Sequence, residues 1–114
     1  DGVPGLPEVI DDGSGIEGTL FDDGRHVVGD DASIHVSAGG DIQVSYQDAT
    51  AGTLHYAVGT ASANGHSWAV KVIPQDGFAG AFSKVIDNGG QLQVMNWWRK
   101  GGETYTGDVA ILTP

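Results

Sequence analysis

The chain contains a weak internal repeat with an offset of 50 residues. Residues 32–52 align without a gap on residues 82–102, and the alignment keeps a strand, a Gly-Gly turn and a second strand in the same order. The identical pairs are Ser33 with Ser83, Gly39 with Gly89, Gly40 with Gly90, Gln43 with Gln93, Val44 with Val94 and Gly52 with Gly102. A repeat of this length is typical of folds in which similar structural units stack on each other. The sequence therefore predicts two similar β-units.

The rest of the pattern predicts an all-β fold. Nineteen glycines in 114 residues interrupt almost every window in which a helical period would develop. Apolar and polar residues alternate instead, most clearly where Ile42, Val44 and Tyr46 alternate with polar residues, so we expect one side of this strand to face a core and the other to face water. Eight or nine short antiparallel strands are predicted, near residues 16–21, 25–28, 33–37, 41–48, 54–58, 68–72, 82–86, 92–98 and 109–112.

The length fits one domain, because domains commonly contain roughly 100–150 residues. Residues 1–15 are predicted to be an extended arm or linker, since their first nine residues include two prolines and two glycines. Residues 16–114 are predicted to form a single all-β domain made of two repeats of about 50 residues, 28–75 and 76–114.

The charge of the chain excludes some partners. The formal net charge is -10, and residues 1–31 hold nine acids with a single basic residue, Arg25. Nucleic acid is therefore not expected as a partner, because it would be repelled. No apolar run approaches the roughly 20 residues of a membrane-spanning helix, so no membrane span is expected. There is no cysteine, which excludes disulfides and thiolate chemistry.

Residues 28–73 resemble the repeats of bacterial secreted β-propeller proteins of the sialidase-like type. The elements that carry the resemblance are Ser33-Ile34, Gly39-Gly40, Tyr46-Gln47-Asp48, the GTLHYA strand at 52–57 and the GHSW turn at 65–68. The resemblance covers about one four-stranded blade, and the Asp-box turn of sialidases is not present as such. It implies blade-like sheets and a secreted or cell-surface protein.

Two blades cannot close a propeller, which typically contains about 4–8 blades. A homo-oligomeric ring of two-blade chains, or a larger companion chain, would supply the rest. The alternative fold is an eight-stranded β-sandwich or jelly roll, in which the two units look alike because strand-turn-strand units generally do.

The two repeats differ most where Tyr46-Gln47-Asp48 aligns on the segment NWWRK at 96–100. Binding groups tend to lie where rigid strands end, and aromatic rings beside a guanidinium can stack on sugars and bond their hydroxyls. This predicts a ligand-binding patch, with packing of the tryptophans in a core as the alternative. Its predicted members are Asn96, Trp97, Trp98, Arg99 and Tyr105.

Signatures of metal or catalytic sites are weak or missing. The pairs Asp11-Asp12, Asp22-Asp23 and Asp30-Asp31 offer oxygen ligands of the kind that Ca²⁺ prefers, but their spacing favours solvated turns. The four histidines, His26, His35, His55 and His66, lack zinc-ligand spacing, and a partly exposed strand position is expected for each. No cofactor is expected, and no nucleophile elbow, metalloprotease motif or phosphate loop is present.

These observations predict a non-catalytic extracellular binding or assembly module, with carbohydrate as one candidate ligand. It would act as an oligomer or as part of a larger propeller, with a glycan or a protein as partner. One alternative is a processed C-terminal fragment of a larger secreted hydrolase or of a receptor. Another is a structural subunit of a ring or filament.

Overall fold

A computed structural model describes residues 5–14, 25–102 and 107–114. Those residues form seven strands and no helix, which confirms the all-β class. The strands are β1 Val28–Val36, β2 Ile42–Asp48, β3 Thr53–Ser62, β4 Gly65–Ile73, β5 Gly77–Asn88, β6 Gln91–Lys100 and β7 Asp108–Leu112. The strand predicted at residues 16–21 lies outside the described residues.

The strands form two antiparallel sheets in chain order. Sheet A contains β1-β2-β3-β4, and sheet B contains β5-β6-β7. Strand β5 packs across β1, β2 and β3, so the sheets are stacked. We call the face of each sheet that looks toward the other sheet its inner face, and the opposite face its outer face. Two stacked sheets are compatible with a β-sandwich, and the propeller ring stays a proposal.

The core between the sheets combines apolar side chains from both. Its buried members are Leu54, Tyr56, Ile73, Ala79 and Val94. These side chains come from β3 and β4 on one side and from β5 and β6 on the other. Burying such side chains away from water is the main force that holds the two sheets together.

The polar side of β2 is buried, so the expectation that it faces water is wrong. Gln43, Ser45 and Gln47 lie on the inner face of sheet A, where β5 covers them. The hydroxyl of Ser45 lies 2.8 Å from that of Ser83, and the amide nitrogen of Gln47 donates to the backbone oxygen of Ala79 at 2.7 Å. Such bonds replace hydrogen bonds to water, which lowers the free-energy cost of burying polar side chains between the sheets.

Strand β1 also differs from the sequence prediction, which placed two short strands at 25–28 and 33–37. A single strand begins at Val28 and ends at Val36. Its pairing with β2 shifts register between Val28 and Asp30 and again between Asp30 and Ser33. Asp31 lies in the irregular stretch with a positive φ of 51°, a conformation that aspartate tolerates better than most residues. The strand therefore contains only Val28 of the first predicted segment and continues through the irregular stretch to Val36.

The turn between β2 and β3 fixes the start of β5. The Gly52 oxygen accepts a hydrogen bond from the Ala79 amide at 2.9 Å, and the Phe78 ring lies over Gly52. A Cβ atom at this position would come within 2.8 Å of that ring, and φ is +67°. Glycine is therefore required there by both the ring and the backbone.

Candidate functional site

The predicted ligand patch is divided between two faces of sheet B. Alternation along β6 places Asn96 and Trp98 on the inner face and Trp97 and Arg99 on the outer face. Tyr105 lies outside the described residues. The structure thus brings Trp97 and Arg99 together, and it does not bring Asn96 or Trp98 to the same surface.

The two inner residues of the patch hold the sheets together. Asn96 is 1% exposed, and its Oδ1 atom accepts hydrogen bonds from the Gly80 amide at 2.7 Å and from the Gln75 side chain at 3.2 Å. Trp98 packs against the inner core and donates from Nε1 to the backbone oxygen of Asp76 at 2.6 Å. Their polar groups are used inside the fold, in line with the packing alternative.

The two outer residues lie at one end of sheet B. The ring centroids of Trp97 and Phe78 are 5.8 Å apart in an edge-to-face arrangement, and the Arg99 guanidinium lies 5.9 Å from the Phe78 centroid. The Trp97 indole also rests on Gly107, where any Cβ would collide with the indole. Trp97 is half-buried and Arg99 exposed, so an aromatic and cationic surface remains accessible.

A second group of polar residues, which sequence reasoning missed, lies on the outer side of sheet A. We call it the polar cluster. Its members are Asp11, His26, Tyr46, Asp48 and His55. Asp11 belongs to residues 8–12, which we call the arm because they cross the outer face of sheet A. The cluster therefore joins the arm to the sheet.

Asp48 is the fully buried carboxylate of the cluster. Its Oδ2 atom lies 2.5 Å from Nδ1 of His26 and 3.9 Å from Nε2 of His55, and its Oδ1 atom accepts from the Ala51 amide at 2.9 Å. Burial of a carboxylate requires partners of this kind. Both histidines are buried, so the expectation that they occupy partly exposed positions is wrong.

Asp11 is the anchor of the arm within this cluster. Its Oδ2 atom accepts a hydrogen bond from the Tyr46 hydroxyl at 2.7 Å and lies 3.3 Å from Nδ1 of His55. Burial raises the pKa of the Tyr46 phenol, and the nearby Asp11 carboxylate raises it further. Tyr46 consequently stays protonated and keeps donating to Asp11.

Glu8 forms a second anchor near the other end of the arm. Its carboxylate accepts from Trp68 Nε1 at 2.8 Å and lies 3.2 Å from Nδ1 of His66. The hydrogen bond from Trp68, followed by that from His66, lowers the pKa of Glu8. Between the anchors, Ile10 packs against the cluster formed by Val44 and its buried neighbours. The arm is thus fastened by both polar and apolar contacts.

Part of the polar cluster could be predicted from the sequence. Tyr46 and His55 are direct partners across β2 and β3, a pairing that a hairpin centred on 49–52 would place side by side. Asp11 and His26 are far from them along the chain and carry no such pattern. Chemically, the cluster offers hydrogen bonds and ion pairs. Within the described ranges no three His, Asp or Glu side chains are arranged to hold a metal ion.

Apolar side chains remain exposed on both outer faces. Cross-strand partners share a face, and on sheet A the register aligns Ile34 with Val44, Ala57 and Val70. On sheet B it aligns Met95 with Ile111 and Trp97 with Val109. Among the exposed residues are Ile34 at 65%, Val36 at 58%, Val70 at 41% and Val72 at 50% on sheet A, and Val109 at 58% and Ile111 at 57% on sheet B.

Among the described residues there is no long apolar helix of the kind that crosses a membrane. No protein-family model, no curated protein and no solved structure matches the chain. The resemblance to sialidase-like propeller repeats therefore stays a prediction, and the functional proposal rests on the chain's own residues.

Proposed function

We propose that this chain is a non-catalytic binding and assembly module that works inside a larger all-β assembly. The observation that carries the proposal is that sheets A and B expose apolar side chains on both ends of the stack, including Ile34 and Val36 on one and Val109 and Ile111 on the other. Exposed apolar side chains that are grouped on one face of a sheet are a common feature of interaction surfaces.

The arm does not remove this feature from sheet A. Ile10 points toward the sheet and packs near Val44, but Leu6 and Val9 are 92% and 74% exposed. The arm thus covers the middle of the face, and apolar side chains stay exposed on Val9 of the arm and on the edge strands β1 and β4. Burying a fully exposed Val or Ile side chain contributes about 1.5–3 kcal/mol. These side chains are already partly covered, so each contributes only a fraction of that when a partner covers it.

The contacts of the polar cluster support a role in attaching the arm to sheet A more than a role in catalysis. Its carboxylates accept hydrogen bonds from Tyr46 and from backbone amides of the same chain, and they contact the two histidines. Asp48 is fully buried and His55 nearly so, which leaves them little contact with a substrate in solution.

The experiment measures mass and exposed apolar surface together. Sedimentation of the purified chain is followed over a wide concentration range, and binding of an apolar fluorescent dye is recorded on the same samples. An oligomer, or a monomer that binds the dye and loses it when a partner is added, supports the proposal. A monomer that binds no dye at any concentration contradicts it, because its outer faces would not be available.

Carbohydrate binding is a second candidate, favoured by the exposed end of sheet B. There the Trp97 indole, the Phe78 ring and the Arg99 guanidinium form one surface. An aromatic face beside a guanidinium can stack on a sugar and bond its hydroxyls. Binding to a polysaccharide panel that is lost in Trp97→Ala and Arg99→Ala would support this role. Equal binding by wild type and both variants would exclude this surface.

A further inference from the structure

We propose that sheet B accepts a fourth strand from a partner protein along the free edge of β7. This strand would lie beside β7 and over the inner face of β4. We call this space the strand groove, and its walls are Tyr56, Val58, Ala69 and Lys71 of sheet A and the edge of β7. The proposed function rests on the outer faces of the sheets, so the strand groove is a separate surface and either proposal can fail without the other.

The cover that sheet B provides for sheet A ends between β3 and β4. On β3, Leu54 is fully buried and Tyr56 is 4% exposed. Tyr56 is paired with Lys71 of β4 across the sheet. Val58 is paired with Ala69, and both of these β4 residues are exposed. Because cross-strand partners share a face, the same inner face is buried on β3 and open on β4.

The strand groove continues the core between the sheets. A cavity of about 220 Å³ lies over its sheet A wall. Leu112 of β7 packs against the core to which Leu54 and Tyr56 of β3 belong. Thr113 and Pro114, which follow β7, line a second cavity with Ile73 at the end of β4. Neighbouring strands are about 4.8 Å apart, so a strand paired with β7 extends the cover of sheet A from β3 to β4.

The free edge of β7 indicates that the occupant is a strand. Within the described part of the chain, β7 is paired on one side only, with β6. This pairing runs over five consecutive residue pairs without a register shift. A regular edge presents a row of backbone N–H and C=O groups, which an extended segment of another protein can pair with.

The other edges of the two sheets fit a strand less well. Strands β1 and β5 both contain register shifts, and they are joined to each other. The Phe82 amide donates to Asp31 at 3.0 Å, and the Val85 amide donates to the Ser33 hydroxyl at 3.1 Å. A strand added to β4 would have no opposite sheet to pack on. A strand on β7 gains both backbone hydrogen bonds and contact with the inner face of β4.

The walls of the strand groove specify the chemistry of the occupant. Val58 and Ala69 offer apolar surface, and the small side chain of Ala69 leaves room for a larger one. Lys71 lies on the sheet A wall, and Asp108 lies at the start of β7, so the groove carries one charge of each sign. The occupant is therefore an extended segment that matches the five residues of β7, with apolar side chains toward sheet A and polar ones on its other face.

The test adds a synthetic peptide to the full chain. The probe is a nine-residue copy of β4, GHSWAVKVI, because β4 holds the fourth position in sheet A. Backbone amide exchange is followed by NMR with and without the peptide. The control is the same peptide with every second backbone nitrogen methylated, made in both phases. A methylated nitrogen has no proton to donate, so at least one phase cannot pair with β7.

The expected result is slower exchange of amides in β7 and shifted resonances of Ala69 and Lys71. At least one methylated phase should produce neither effect. Ala69→Tyr fills the strand groove and should weaken binding of the peptide about tenfold. Val70→Tyr, which places the same ring on the outer face of β4, is the matched control and should change binding less than about twofold. The exchange measurement needs no variant, so it decides the matter even if Ala69→Tyr does not fold.

Three results would overturn the strand groove as a binding site. These are protection along β4 instead of β7, equal binding by both methylated phases and the parent peptide, and no binding up to about 1 mM peptide. Equal affinities of Ala69→Tyr and Val70→Tyr would also overturn it. Each of these results leaves the proposed function standing, because sedimentation and dye binding report on the outer faces.

Discussion

The Nδ1 atom of His26 lies 2.5 Å from the Oδ2 atom of Asp48, and both side chains are buried to within 1%. His26 precedes β1, and Asp48 is the last residue of β2. The His26 amide also donates to the Gly13 oxygen, which continues the connection to the segment that follows the arm. The side chain and the amide of His26 thus tie three separate segments of the chain together.

Removing the carboxylate of Asp48 should strongly destabilise the fold. Asp48→Ala leaves the His26 imidazole and the Ala51 amide without their acceptor inside the protein, and loss of one partner of a buried pair typically costs about 3–5 kcal/mol. The free energy of unfolding is measured in urea. Asp30→Ala, at an exposed position of the same charge, should change it by less than about 0.5 kcal/mol. Equal effects of the two substitutions would contradict the role of the pair.

In this region the sequence predicted the strands better than it predicted which segments pack against them. Ile42, Val44 and Tyr46 lie on one face as expected, because alternation follows directly from strand geometry. Alternation does not reveal how many sheets pack together, so burial of Gln43 on the opposite face was missed. The polar cluster was missed for a related reason. Asp11 meets His55 only after the arm crosses sheet A, and nothing in the local pattern specifies that crossing.

The attachment of the arm at Glu8 should depend on pH. The folded protein lowers the pKa of Glu8 below its ordinary value of 4.5, so the contribution of its anionic form to stability is complete above that value. It is lost as the pH falls through the lower, folded pKa. The Trp68 Nε1 proton, which donates to Glu8, should shift in NMR spectra over this range.

Two variants serve as controls for this titration. In Glu8→Gln the titrating group is gone, and the shift of the Trp68 proton below pH 4.5 should disappear. In His66→Gln the neighbouring imidazole is gone, and the shift should remain with a smaller displacement of the midpoint. A titration that is unchanged in Glu8→Gln would show that another group controls the indole.

The two adjacent tryptophans should respond differently to truncation. Trp98 packs in the core between the sheets and bonds the Asp76 oxygen, so Trp98→Ala should lower the free energy of unfolding by about 3 kcal/mol. Trp97 lies on the outer face against Phe78, and Trp97→Ala should cost less than about half as much. Urea denaturation of both variants measures the difference. A larger loss for Trp97→Ala would contradict the assignment of the two faces.

The glycine turns of the two repeats differ although their sequences are identical. The identity of Gly39-Gly40 with Gly89-Gly90 predicts equivalent turns, but the turns differ. Val36 pairs with Ile42 across a five-residue connection, whereas Asn88 pairs with Gln91 across two glycines. A shift of one residue in register moves a side chain to the opposite face of a sheet. The repeat therefore matches the alternation of side chains along β2 with that along β6. It does not predict which faces of β1 and β5, the first strands of the two sheets, correspond.

Gly59 should be sensitive to even the smallest side chain. A Cβ atom at this position would lie 2.7 Å from the Trp68 indole, which covers the glycine from the paired position on β4. In Gly59→Ala the ring has to move, and the hydrogen bond from Trp68 to Glu8 is strained with it. Overpacking of this kind costs about 1–3 kcal/mol. Gly39→Ala is the matched control, because its nearest neighbour is 4.0 Å away and its φ is not positive. Urea denaturation measures both, and the Trp68 indole resonance should shift in Gly59→Ala alone, since the glycine holds the ring that anchors the arm.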